Sequence, residues 1–120
     1  MIITIPGRPM PAVRMTKRSK WSNPLAKKYL AYKDLIGTIA RMQYKEPTDK
    51  EVGVYVRVFL TGVKTPMGRD GDVDNYAKSA LDGLNKIAWI DDRQVMRLTV
   101  TKIPCQNKAS ERMEIVVELI

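Results

Sequence analysis

The sequence predicts an α/β (α+β) domain, a mixed sheet of about four strands covered by two helices in the order β-α-β-α-β-β. Three patterns predict it. Val52, Val54, Val56, Val58 and Leu60 alternate with Gly53, Tyr55, Arg57 and Phe59, the period of a strand. Leu25, Tyr29, Tyr32, Ile36, Ile39 and Met42 recur at spacings of three and four, and so do Ala77, Ala80, Leu81, Leu84 and Ala88. That is the period of a helix burying one face. Helices interleaved with strands need a sheet to cover those faces, which makes a layered fold.

Taken in order, Ile2 to Ile5 reads as a short strand that Pro6, Pro9 and Pro11 cannot continue, since proline lacks the ladder donor. A basic loop then runs to Ser22. Asn23-Pro24 reads as an N-cap with proline at the first helical position, and this helix ends before Pro47. Tyr29 and Tyr32 are expected in the core, whereas Trp21, among Arg18, Lys20 and Lys27, is also a candidate for contact with nucleic acid. After the strand at 52–60 comes a loop from Thr61 to Gly71, then a helix from about Asp74 to Lys86. Asp91-Asp92-Arg93 is a turn, and Gln94–Ile103 and Met113–Ile120 are the last two strands. Cys105, without a charged neighbour in sequence, is expected to be structural.

At 120 residues the chain suits one domain, residues 1–120, with room for a single hydrophobic core. The opening apolar run is too short for a signal peptide and no run approaches membrane length, so a cytoplasmic protein with no membrane partner is expected. The net charge of +8 is unevenly spread: residues 1–33 hold eight basic residues and no acid, while the remainder balances. Positive charge gathered at one end points to a polyanion, above all nucleic acid.

The acids are concentrated elsewhere. Six of thirteen, Asp70, Asp72, Asp74, Asp82, Asp91 and Asp92, fall within 23 residues that hold only Lys78 and Lys86 in opposition. Such density costs Coulomb repulsion unless a cation sits among the carboxylates. Two readings compete. Asp72 or Asp74 can simply cap the helix that follows. Alternatively, the chain returning through Asp91-Asp92 brings further carboxylates to that helix's start, beside Lys78 one turn on from Asp74. With no histidine and one cysteine, a zinc site of His or Cys ligands is excluded, and carboxylates suit Mg²⁺ or Mn²⁺. Asp70-x-Asp72-x-Asp74 opens like a calcium loop, but Asn75 and Leu81 stand where that loop needs Gly and Glu.

Asp72-Val73-Asp74-Asn75 with Lys78, followed by Ala80-Leu81-Asp82-Gly83-Leu84 and Trp89-Ile90-Asp91-Asp92-Arg93-Gln94-Val95, resembles the RusA family of Holliday-junction resolvases. The opening Ile5-Pro6-Gly7-Arg8-Pro9 and the helix around Tyr29–Lys33 are similar too, so the resemblance spans nearly the whole chain. It implies a homodimeric, Mg²⁺-dependent endonuclease that nicks two opposed strands of a four-way DNA junction. It implies Asp72, Asp74 and Asp92 as essential carboxylates, Lys78 as the essential lysine, and Asp91 as a lesser candidate ligand. One departure stands out: relatives often carry an unbroken basic run before the first of these aspartates, where this chain has Arg69-Asp70-Gly71.

The chemistry is consistent on its own terms. Without histidine as a general base, phosphodiester hydrolysis is expected to use a water activated by a metal, with Lys78 supporting developing charge. Arg8, Arg14, Lys17, Arg18, Lys20 and Arg69 are the expected phosphate contacts. No small-molecule cofactor is expected. The alternatives are a nuclease of other branched or flap DNA, and a non-catalytic DNA-binding module whose aspartates only cap a helix.

Overall fold

The alternating run at residues 52–60 becomes the centre of the sheet in the computed structural model, which describes residues 2–13, 23–62 and 71–120. In chain order the elements are β1 (Ile2–Pro6), α1 (Pro24–Arg41), β2 (Val52–Leu60), α2 (Val73–Leu84), β3 (Val95–Pro104) and β4 (Arg112–Leu119). Short 3-10 turns at Asp92–Gln94 and Lys108–Ser110 precede β3 and β4. The sheet order is β1-β4-β2-β3, with β2 antiparallel to β4 and parallel to β3. A parallel neighbour needs a crossover, and α2 supplies it. The expected order and the mixed sheet are therefore both present.

One face of the sheet makes the core. Val52, Val54, Val56, Val58 and Leu60 are fully or almost fully buried there, flanked by Ile3 and Ile5 of β1 and Met113 and Ile115 of β4. Tyr32, Ile36 and Ala40 of α1 and Tyr76, Ala80 and Leu84 of α2 close over them, as the helical spacing requires. Burying each large side chain of this set contributes about 1.5–3 kcal/mol. Tyr29 and Tyr32 are buried, as expected. The other face is polar, with Arg57 and Glu114 3.6 Å apart and Arg112 stacked 3.7 Å from the Phe59 ring centroid.

Local chemistry sets the helix ends. Asn23 Oδ1 accepts the Leu25 amide at 2.9 Å and Pro24 opens α1, as predicted. The helices cross closely at Gly83, where a β-carbon would lie 2.6 Å from Ile36 Cγ2. Helix α2 stops at Leu84, two residues short of the expected end, because Asn85 turns to ψ 132° and Lys86 to φ 68°. Pro6 joins β1 after all, paired with Arg112, an arrangement an outer strand tolerates. Cys105 is half-buried, its thiol 3.7 Å from the Asn107 carbonyl. Among the described residues no helix is long and apolar enough to cross a membrane. Arg14, Lys17, Arg18, Lys20, Trp21 and Arg69 lie outside the described residues.

Candidate active site

Helix α2 buries Tyr76, Ala77, Ala80 and Leu84, which leaves Asp74, Lys78 and Asp82, four residues apart, along its outer side. Asp72 occupies the N-cap position with extended backbone, yet its side chain makes no cap bond. Asp74 sits in the first turn, and its carboxylate accepts no hydrogen bond among the described residues. Both are exposed, at the helix end whose partial positive charge favours anions. Lys78, also exposed, forms no ion pair with Asp74 among the described residues.

The second group of acids is held differently. Trp89 is fully buried, anchoring the turn that follows α2. Asp91 caps the short 3-10 turn: its Oδ1 accepts the Arg93 amide at 2.9 Å, while Gln94 Oε1 accepts the Asp91 amide at 2.9 Å. The Gln94 amide then donates to the Thr48 and Lys50 carbonyls, both at 2.8 Å, so the turn is locked from two sides. The Arg93 backbone N–H holds the Asp91 carboxyl below its ordinary range, with the Arg93 guanidinium and Lys86 acting in the same direction. Asp92 faces the other way, and its Oδ1 accepts the Trp89 indole N–H at 2.8 Å.

Asp74, Lys78 and Asp82 from α2, Asp92 from the turn, and Leu98 and Val100 from β3 line one cleft of about 600 Å³. Asp72 is not among its lining residues. Asp82 had no assigned role in the sequence reading, although its spacing of four from Lys78 and eight from Asp74 puts it on their side of the helix. It accepts the Tyr29 hydroxyl at 2.5 Å, and burial, together with this carboxylate, pushes the Tyr29 phenol up. The apolar wall of Leu98 and Val100 carried no signal, because alternation in a strand does not say which face meets a site. The oxygen donors fit a hard cation in kind. In number they fall short, since among the described residues no three carboxylates converge closely enough to hold one.

The start of the chain is fastened beside this cleft. The Ala12 amide donates to the Asn75 carbonyl at 2.9 Å, and Pro11 packs so tightly on Gly71 that a β-carbon there would lie 2.6 Å from it. Lys102 Nζ meets the Gly71 carbonyl at 3.2 Å. Farther back, Arg8, one of the expected phosphate contacts, is engaged by the buried carboxylate of Glu111 and donates to the Thr61 carbonyl at 3.3 Å. The Thr61 backbone N–H, at 3.1 Å, holds the Glu111 carboxyl below its usual range, with the Thr61 hydroxyl and Arg8 adding to it.

An acidic cleft repels a polyanion unless charge elsewhere draws it in, and the first 33 residues, free of acid, hold eight basic side chains. Carboxylates and a lysine in one cleft are groups that phosphodiester hydrolysis can use. The family model described as Endodeoxyribonuclease RusA matches residues 6–118, nearly the whole chain. The chain belongs to that family; it is an endodeoxyribonuclease, and the family's activity is on Holliday junctions. No curated protein matches the chain.

Proposed function

We propose that this chain is a divalent-metal-dependent, cytoplasmic resolvase that cuts four-way DNA junctions by paired symmetric nicks. The observation that carries this reading is the common cleft of Asp74, Lys78, Asp82 and Asp92, with the chain bonded beside it at Ala12. Asp72, Asp74 and Asp92 are the residues that would hold Mg²⁺ or Mn²⁺, and no cap bond ties the Asp72 side chain. When bound, the ion supplies Lewis-acid activation and charge neutralisation at the phosphate.

The remaining work falls to the chain. Lys78 Nζ donates to a phosphoryl oxygen and stabilises charge as it moves toward the leaving 3′ oxygen. Leu98 and Val100 lower the local dielectric on the cleft's far wall, which strengthens that interaction. Asp92 is oriented by the Trp89 indole, and its second oxygen would be the one offered to an ion. Arg14, Lys17, Arg18, Lys20 and Arg69 neutralise backbone phosphates, while Arg8 is held by Glu111.

Two nicks need two clefts, hence a two-fold homodimer. Among the described residues the outer edge of β3 is uncovered, with Met96 58% and Leu98 40% exposed. A second copy pairing there about a two-fold axis normal to the sheet keeps both helix layers, and so both clefts, on one face for one junction. The test combines a synthetic four-way junction, with and without Mg²⁺, and sedimentation of the protein. Paired symmetric nicks only with the ion, from a dimer, are expected. Equal cutting of flap and junction would replace the selectivity, and a monomer cutting both strands in one encounter would remove the dimer.

A further inference from the structure

We infer that a second groove, between α1 and the end of α2, binds backbone phosphates of the DNA flanking the cut. It is a polar depression of about 460 Å³ lined by Lys33, Arg41 and Lys86 with the carboxylates of Asp34 and Asp82, where Gly37 and Gly83 let the helices approach. Lys33, Gly37 and Arg41 are four residues apart, so they lie in one row along α1. None of the three cations forms an ion pair among the described residues. Asp82 borders both this groove and the catalytic cleft, so the two are adjacent along α2. A strand with its scissile phosphate at Lys78 therefore continues toward Lys86.

The backbone supplies an independent reason. Lys86 is the only non-glycine residue with left-handed φ among the described residues. It follows the Asn85 cap, the place where helices ordinarily put glycine because a β-carbon is strained there. Keeping a lysine at a position that favours glycine is accounted for by what its ammonium does. The bland alternative is that Lys86 and Arg41 only offset the negative ends of their helices. That role needs no groove, and it leaves the salt dependence of DNA binding unchanged when Lys86 is removed. The inference rests on the reading of the chain as a junction nuclease.

The experiment measures junction binding against salt without divalent ions, in an Asp74→Asn background that keeps substrate intact. Lys86→Gly is expected to hold or raise the melting temperature while weakening binding about three- to tenfold. The slope of log affinity against log salt should fall by about one, and by about two when Arg41→Gln is added. Lys86→Arg should keep the slope. Lys86→Gly with unaltered affinity and slope, in a protein whose parent binds normally, would overturn the groove alone. A parent that binds no junction would overturn the underlying reading as well.

Discussion

The two pairs of aspartates, Asp72 with Asp74 and Asp91 with Asp92, look alike in sequence but are held in opposite ways. Asp72 occupies a capping position without capping, and Asp74 is likewise unbonded among the described residues. Asp91 caps in full, with both halves of a capping box made, and Asp92 is tied to the buried Trp89. A carboxylate at a helix start ordinarily spends its oxygens on the helix amides. Where it does not, those oxygens are left for something outside the fold. The difference separates Asp91, spent on the fold, from Asp72 and Asp74, which are not, while Asp92 gives one oxygen to Trp89 and still lines the cleft.

The sharpest way to break this comparison is to remove the carboxylate charge on each side of it. Asp72→Asn and Asp74→Asn should each cut nicking about 100-fold or more, with junction affinity equal or higher and the melting temperature little changed. Asp91→Ala should do the reverse, lowering the melting temperature while nicking stays within a few-fold. If Asp72 were a cap, alanine there would cost about 1 kcal/mol of stability and asparagine nearly nothing in either assay. Nicking rate, affinity and melting temperature measured side by side decide between them. Asp72→Asn cutting at the parent rate would remove that residue from the site.

A smaller effect is expected at Glu111, a carboxylate committed wholly to structure. Its pKa is lowered in the fold, so its stabilisation is full above the ordinary glutamate range and is lost as pH falls through the folded value. Glu111→Gln should cost about 1–2 kcal/mol at pH 7, and the gap from the parent should close in acid. Urea unfolding at pH 7 and pH 3 measures it; a gap that stays constant with pH would show that charge at Glu111 is not what holds Arg8 and Thr61.

The fold was legible because its signals are periodic. Val52–Leu60 could only be a strand buried on one face, and Pro24 after Asn23 could only begin a helix. The gathering of the candidate site was legible as spacing, since Asp74 and Lys78 share a helix face and Asp92 lines the same cleft. What spacing does not encode is where a side chain's bonds go. Asp91 and Asp92 are adjacent, and their division of labour is set by Arg93 on one side and by an indole brought in from the core on the other. The end of α2 was misjudged for a similar reason: Lys86 has good helix propensity, but the chain turns away at Asn85.

The bond from Trp89 to Asp92 has an optical consequence. An excited indole shifts electron density across its ring, so its emission depends on the charge held against its N–H. With the carboxylate of Asp92 2.8 Å from Nε1, and the ring otherwise sealed in the core, Trp89 is placed to register whatever comes to that carboxylate. The chain has one other tryptophan, Trp21, and its replacement by phenylalanine leaves Trp89 as the single tryptophan. Occupancy of the cleft then becomes visible as a change of colour or yield, without a label, a substrate or a turnover.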